Sequence, residues 1–107
     1  MNKKELRDQY KLHKPDMGVF SITDKSSGRV FLEAAPSLKA YINRTVFTLN
    51  AGMHRDKELQ ALWTVSGESG FRIETLEILP YSEDANKTDY SEDLEILRQI
   101  WAGKMGI

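Results

Sequence analysis

The sequence contains no cysteine, and this absence excludes several classes of function at once. Disulfide-stabilised folds, zinc sites with thiolate ligands and cysteine nucleophiles are all ruled out. Histidine is nearly as scarce: His13 and His54 are the only two, and neither lies in a His/Asp/Glu cluster with metal-ligand spacing. The sequence also lacks a phosphate-binding P-loop and a dinucleotide fingerprint. Function therefore has to be sought in other residue patterns.

Long apolar runs are absent as well. No stretch approaches the roughly 20 residues that span a bilayer, and no apolar segment of a secretion signal follows the basic start MNKKELRDQY. We therefore expect a cytoplasmic protein that does not act at a membrane. The chain has 107 residues, of which 40% are hydrophobic and 29% charged, which predicts one folded domain over residues 1–107. Residues 1–14 are predicted to be a helical N-terminal extension of that domain.

Charge is distributed unevenly along the chain. Residues 1–57 contain 11 Lys and Arg against 6 Asp and Glu, whereas residues 58–107 contain 4 against 10. The formal net charge of −1 thus hides a basic first half and an acidic second half. Such an asymmetry permits a basic face on a nearly neutral protein. The alternative is that the two halves have solvent-exposed surfaces that differ in charge without forming a binding face.

Alternation of residue types predicts a β-hairpin in MGVFSITDKSSGRVFL, residues 17–32. Apolar strands surround a polar turn that ends in Gly28. A helix over residues 2–13 precedes the hairpin and stops before Pro15. Two helices follow it: one opens at Pro36-Ser37 and ends at Gly52, and the next runs from about Asp56 to Ser66, with Gly67 after it.

The remaining elements are a third strand and a last helix. In GFRIETLEIL, one face of the strand is predicted to carry Phe71, Ile73 and Leu79 and the other Leu76 and Ile78, a pattern that favours a strand in the middle of a covered sheet. Ser91 is the predicted N-cap of the last helix, whose buried residues are predicted to be Leu94, Leu97, Ile100 and Trp101. The order α-β-β-α-α-β-α predicts an α/β fold in which helices flank a small three-stranded sheet.

These elements and their motifs resemble the GIY-YIG nuclease family over residues 17–101. Gly18-Val19-Phe20 stands at the Gly-Ile-Tyr motif of the family, and SGRVFLE, residues 27–33, stands where the family often has Asn-Gly-Lys-x-Tyr-Ile-Gly. Later positions follow a pattern seen in small bacterial members: Gly52-Met53-His54, Leu59-Gln60, Trp63, Gly67, Phe71 and Glu74-Thr75-Leu76-Glu77.

The resemblance implies hydrolysis of phosphodiesters with one divalent metal, Mg²⁺ or Mn²⁺ if the chain is active. In the family a tyrosine hydroxyl helps to activate water, an arginine on a helix neutralises the phosphate, and a glutamate on the last helix holds the metal. Here Phe20 and Phe31 replace the two motif tyrosines and have no hydroxyl. Tyr41 occupies the arginine position, and Arg44, one turn later on the same helix face, is the candidate substitute.

Two further positions depart from the family pattern. Glu33 replaces a glycine beside the expected phosphate site and adds a negative charge there. Arg98 occupies the position of the metal-binding glutamate, so Glu95, one turn earlier, is the candidate metal ligand. With four catalytic positions altered together (Phe20, Phe31, Tyr41 and Arg98), the sequence predicts a nuclease-like fold whose chemistry is lost or impaired.

The expected partner is nucleic acid, DNA rather than RNA. Binding is predicted to come from phosphate contacts of the basic half, made by Lys25, Arg29, Lys39, Arg44, His54, Arg55 and Lys57. For His54, a local hydrogen bond in the loop before a helix is the alternative role. Two other functions stay open: an active metal-dependent endonuclease that uses Arg44 and Glu95, and a protein-interaction module without nucleic-acid activity.

Overall fold

The computed structural model describes residues 14–107, and the predicted helix over residues 2–13 lies outside them. The described residues form two strands, two helices, a third strand and a last helix, in the order predicted from the sequence. We label them β1 (Met17–Asp24), β2 (Val30–Ala35), α1 (Leu38–Asn50), α2 (Lys57–Ser66), β3 (Phe71–Leu79) and α3 (Ser91–Met105). A short 3₁₀ turn, Glu68–Gly70, precedes β3. The predicted fold class is therefore confirmed for this part of the chain.

The sheet is antiparallel throughout, with the strand order β2-β1-β3. The hairpin strand β1 lies in the middle, and seven of its eight residues are buried. The prediction that the third strand lies in the middle is wrong, because β3 is at the edge. Strand β1 occupies the middle position, and both of its faces are covered, one by α1 and α2 and the other by α3.

A β-bulge explains why the pattern of β3 was misleading. Opposite the adjacent pair Val19 and Phe20 of β1, the partner residues in β3 are Glu77 and Thr75, so Leu76 is the extra residue. Past the bulge the alternation of side chains is shifted by one. Leu79 therefore lies opposite Met17, in the cluster that packs against α3, and not on the face of Phe71 and Ile73.

Gly18 is required by the close approach of β3. A Cβ atom at this position would overlap the backbone carbonyl oxygen of Glu77 on the neighbouring strand. The glycine of the first motif thus has a structural reason that is independent of any chemistry, because only a residue without a side chain lets the two strands pair here.

The ends of the helices agree in part with the ends predicted from the sequence. The Asp56 carboxylate accepts hydrogen bonds from the backbone N–H groups of Glu58 and Leu59 and caps α2. Gly67 follows α2 with a positive φ of 74°. The predicted N-cap at Ser91 is wrong by one residue: Ser91 is the first helical residue, and its N–H and hydroxyl donate to the carboxylate of Asp89.

The two tryptophans differ in burial. Trp63 is 2% exposed and stacks on Phe71, with 4.9 Å between ring centroids. Trp101 is only half-buried, and its indole N–H donates to the Glu77 carboxylate at 2.9 Å. The predicted burial of Ile100 is wrong, since it is 48% exposed. Helix α3 therefore packs a narrower stripe, Leu94 and Leu97, onto the sheet than its sequence pattern indicated.

Candidate nucleic-acid interface

An open cavity of about 310 Å³ lies between strand β2, helix α1 and the loop that joins α1 to α2. Each of these elements contributes side chains to its wall. The cavity is lined by Glu33 from β2, by Tyr41, Arg44, Thr45 and Thr48 from α1, and by Met53, His54 and Arg55 from the loop. It therefore brings together four of the predicted site residues, Tyr41, Arg44, His54 and Arg55.

Helical spacing places the α1 residues on one wall. Tyr41 and Arg44 are three residues apart, so their side chains lie one turn from each other on the same face. The guanidinium of Arg44 is solvent-exposed, and among residues 14–107 no carboxylate forms an ion pair with it. Arg44 thus presents a positive charge and several hydrogen-bond donors to whatever enters the cavity.

His54 is buried and held by the loop. Its backbone N–H donates to Oε1 of Gln60 at 2.9 Å, and its Nδ1 accepts a hydrogen bond from the backbone N–H of Asp56 at 3.0 Å. The local hydrogen bond expected as the alternative role of His54 is therefore present. Because Nδ1 is an acceptor, the ring proton of neutral His54 sits on Nε2, on the side of Glu33. One ring nitrogen fixes the loop and the other is turned toward the cavity.

Glu33 supplies the negative charge of the cavity. Its Oε1 lies 3.9 Å from Nε2 of His54 and 3.7 Å from the guanidinium of Arg55, and its side chain is 20% exposed. Both separations are longer than a good hydrogen bond. The carboxylate thus occupies the space between two groups that could each bind a phosphate oxygen. With Arg44 and Arg55 both charged, the cavity keeps one net positive charge when His54 is neutral.

The two phenylalanines at the motif-tyrosine positions lie on the same face of the sheet as the cavity. Phe20 pairs with Glu33, and Phe31 pairs with Ile22, in the β1–β2 register. Phe20 is 0% exposed and belongs to the main core cluster, whereas Phe31 is half-buried at its edge under the Arg29 guanidinium, 5.2 Å from the ring centroid. Phe20 is therefore sealed within the core, and a hydroxyl at that ring would meet apolar neighbours.

The candidate metal ligand is already occupied by protein donors. Arg98 donates from two guanidinium nitrogens to both carboxylate oxygens of Glu95, and Gln99 donates to Oε1 at 3.3 Å. These hydrogen bonds, chiefly those from Arg98, lower the pKa of the Glu95 carboxyl to about 2. Among residues 14–107 no group of three His, Asp or Glu side chains could hold a metal ion. Arg98 stands at the position of the family's metal-binding glutamate and holds both carboxylate oxygens of Glu95, so these two residues do not fit the single-glutamate metal site that the family resemblance implies.

The other predicted phosphate ligands lie elsewhere on the surface. Nζ of Lys25 donates to the Ser69 carbonyl at 3.0 Å, and Arg29 forms an ion pair with Glu58 at 2.8 Å. Lys39 lines a separate groove beside β3. Lys57 is exposed at the first residue of α2 and is not among the residues that line the cavity. The seven predicted phosphate-binding residues thus do not form one patch, and three of them, Arg44, His54 and Arg55, lie together at the cavity.

Sequence reasoning missed several residues that shape this site. Thr45 and Thr48 continue the wall begun by Tyr41 at spacings of four and seven, a helical polar stripe that could have been read from the sequence. Gln60 joins the loop to α1, since it accepts from the His54 N–H and its amide donates to the Leu49 carbonyl at 3.0 Å. Gln60 belongs to the family pattern, but no local signal in the sequence indicates this bridging contact.

Comparison with known proteins agrees with the architecture. No protein-family profile matches the chain, and no curated protein sequence matches it. Two solved structures do: the catalytic domain of the homing endonuclease I-TevI, and a point variant of the catalytic domain of the same intron endonuclease. Both superpose with a TM-score of 0.68 at 19% sequence identity.

The superposition extends over nearly the whole domain. It covers 85% of this chain and 84% of the variant, and 84% of this chain and 88% of the other domain. No helix within residues 14–107 is both long enough and apolar enough to cross a membrane. The fold expected from the motifs is confirmed: the described chain has the fold of the catalytic domain of a GIY-YIG homing endonuclease.

Proposed function

We propose that this protein is a DNA-binding domain built on a nuclease fold, and that its capacity to cleave phosphodiesters is impaired. One observation carries the proposal: Arg44, His54 and Arg55 converge on one open cavity, beside the hydroxyl-bearing side chains of Tyr41 and Thr48. Guanidinium groups and neutral N–H or O–H donors are the groups that bind phosphate oxygens in proteins. The cavity is therefore the phosphate-binding part of the proposed interface.

The electrostatics of the cavity support an anionic ligand. Arg44 is exposed and has no acidic partner among residues 14–107, and Arg55 is 88% exposed and faces Glu33 only at 3.7 Å. Neither arginine is held in a tight ion pair that a phosphate would have to break. By contrast, Arg29 and Arg72 each lie within 3.0 Å of a carboxylate oxygen, of Glu58 and Glu74 respectively.

Three features support impaired chemistry. The ring of Phe20 has no hydroxyl and is closed off from solvent, so it offers no group to activate water. The carboxylate of Glu33 stands inside the cavity and repels the attacked phosphate. Glu95 has both oxygens engaged by Arg98, which leaves it poorly placed to hold a divalent cation. The residues that bind phosphate are thus present, while those that would cut it are altered.

Fluorescence anisotropy with a labelled 20-nucleotide DNA, as single strand and as duplex, tests the binding. At low salt we expect saturable binding that weakens steeply as salt is raised, because phosphate contacts release counterions. Arg44→Ala should weaken binding about tenfold, which corresponds to ~1.4 kcal/mol for one lost charged contact. The control is Arg72→Ala, which removes an exposed, ion-paired arginine on β3 and should leave affinity within about twofold. No binding to either DNA form at low salt would refute the proposal.

Nicking of supercoiled plasmid tests the state of the chemistry. Wild-type protein with Mg²⁺ or Mn²⁺ is expected to give no nicking above a protein-free control over hours. Metal-dependent nicking that EDTA abolishes, and that Arg44→Ala and Glu95→Ala both remove, would establish the alternative function of an active endonuclease.

A further inference from the structure

Two large apolar side chains are exposed near the C-terminal end of α1, and one of them lines the cavity. Phe47 is 70% exposed and Met53 is 69% exposed. Phe47 lies three residues after Arg44, one turn along α1, and Met53 itself lines the cavity. The backbone N–H of Met53 donates to the Thr48 carbonyl at 2.9 Å, which ties this residue to the end of α1. Single exposed apolar residues are common on protein surfaces, but Met53 lines a cationic cavity and Phe47 lies one helical turn from Arg44, which also lines it.

We propose that an unpaired base of single-stranded DNA stacks on the ring of Phe47 while the adjoining phosphate enters the cavity beside Arg44. This inference rests on the proposed DNA-binding function and specifies the form of DNA that the site takes. Sequence-independent binding of single strands combines a positively charged groove with aromatic side chains on which bases stack. Both parts occur here within one turn of the same helix.

The exposure of Phe47 fits a base better than it fits packing within the protein. Its ring is not part of either hydrophobic cluster among the described residues, so it contributes little to folding. The face of a base is apolar and polarisable, and Arg44 next to it supplies charge for the phosphate that every nucleotide carries. Charge and aromatic surface thus match the two halves of one nucleotide.

A duplex is a poorer match for the same surface. Its base faces are covered by stacking on their neighbours, so no base is available to Phe47. Tight duplex binding also depends on many phosphate contacts, whereas the cavity offers two arginines. Residues 58–107, which include β3, α3 and all of α2 except its first residue, carry 10 acidic against 4 basic side chains. A ligand that extends beyond the cavity onto these elements would meet this excess of acidic side chains.

The test compares three ligands of equal length: a labelled single strand, the same strand with abasic sites in place of the central bases, and the duplex. We expect wild-type protein to bind the intact single strand at least fivefold more tightly than the other two. Phe47→Ala should remove that preference, and Phe47→Trp should retain it with quenching of the added indole fluorescence. Val65→Ala, which truncates an 86% exposed residue on α2 that does not line the cavity, is the matched control and should change nothing.

Arg44→Ala separates this inference from the proposed function, since it should weaken binding of all three ligands by a similar factor. If Arg44→Ala weakens binding but the duplex or abasic strand binds as well as the intact strand, the stacking inference is wrong and the DNA-binding function stands. The same holds if Phe47→Ala has no effect. An RNA strand that binds more tightly than DNA overturns the assignment to DNA. Absence of binding to all ligands overturns both the function and the inference.

Discussion

Replacing Glu33 by glutamine should strengthen DNA binding. Glu33 lies opposite Phe20 in the sheet, and its carboxylate faces Nε2 of His54 and the guanidinium of Arg55 at 3.9 and 3.7 Å. It therefore sits where a phosphate would make its own contacts with these two groups. Glutamine has nearly the same shape and removes one negative charge, so the cavity should keep its form and change its net charge from +1 to +2.

The size of the effect follows from Coulomb's law. A phosphate charge about 5 Å from the carboxylate is repelled by roughly 3 kcal/mol at an effective dielectric constant near 20, and by about 0.8 kcal/mol in bulk water. The Glu33 side chain is 20% exposed, so the value lies between these limits and salt reduces it further. We expect a gain of ~1.4 kcal/mol, which is a tenfold lower Kd.

Anisotropy titration of a labelled single strand at low and at moderate salt measures this gain. Glu74→Gln is the control, because it removes the same charge from an exposed carboxylate paired with Arg72 on β3, and it should change Kd by less than about twofold. Thermal unfolding of each variant checks that the fold is retained. Equal gains in both variants would show that only net charge matters, and weaker binding by Glu33→Gln would refute the assignment of the phosphate to this cavity.

Four further predictions concern the stability of the fold and its dependence on acid pH. Trp63→Ala should lower the free energy of unfolding by about 3–5 kcal/mol in denaturant titrations, because the ring is buried and stacked on Phe71; a loss below 1 kcal/mol would show that the core is misassigned. Phe20→Tyr should lower the free energy of unfolding by about 1–3 kcal/mol, since the hydroxyl would be buried without a partner. Phe31→Tyr at the half-buried edge of the core should be nearly neutral, and equal losses in the two variants would contradict this contrast. Asp56→Ala should cost about 1 kcal/mol through loss of the α2 cap, and no change would argue against that cap. Hydrogen bonds from Ser26 and Ser27 hold the pKa of the Asp24 carboxyl below its ordinary value, so the stability that the ionised carboxylate contributes is present at neutral pH and is lost as the pH falls below about 4. The melting temperature of Asp24→Asn should therefore differ from that of wild type at pH 7 and converge with it in acid. A difference that stays constant with pH would contradict this linkage.

The order of elements could be predicted because each carries a local signal. Helix α2 is the clearest case: Asp56 before it, Leu59 and Trp63 one turn apart within it, and Gly67 after it all agree. The position of the strands in the sheet carries no such signal. Strand β3 reads as covered on both faces because a bulge at Leu76 shifts its alternation, and a bulge depends on the partner strand as much as on β3 itself.

The site was partly predictable for the same reason. Tyr41 and Arg44 could be placed on one wall from helical spacing alone. The meeting of that wall with Glu33 and His54 is set by how β2 and the α1–α2 loop pack, which no local pattern shows. The pairing of Glu95 with Arg98, three residues apart on α3, was accessible to the same spacing rule and weakens the metal-ligand role expected from the family resemblance.

The motif-tyrosine positions 20 and 31 differ in their access to solvent. The structure shows two environments: Phe20 is 0% exposed in the core, and Phe31 is half-buried at its edge. Phe20 on the first hairpin strand therefore packs in the core. Only Phe31 on the second hairpin strand borders a surface where a tyrosine hydroxyl could contact solvent. This difference comes from the middle position of β1 in the sheet.

An NMR titration of the ¹⁵N-labelled protein with a short single-stranded DNA tests the central claim most directly, because it locates the bound strand residue by residue. The account predicts that the largest amide shifts fall on Arg44, Thr48, Met53, His54 and Arg55, around one cavity, with small shifts along α3. Shifts concentrated on α3 or on the hairpin turn, with the cavity amides unmoved at saturation, would contradict it.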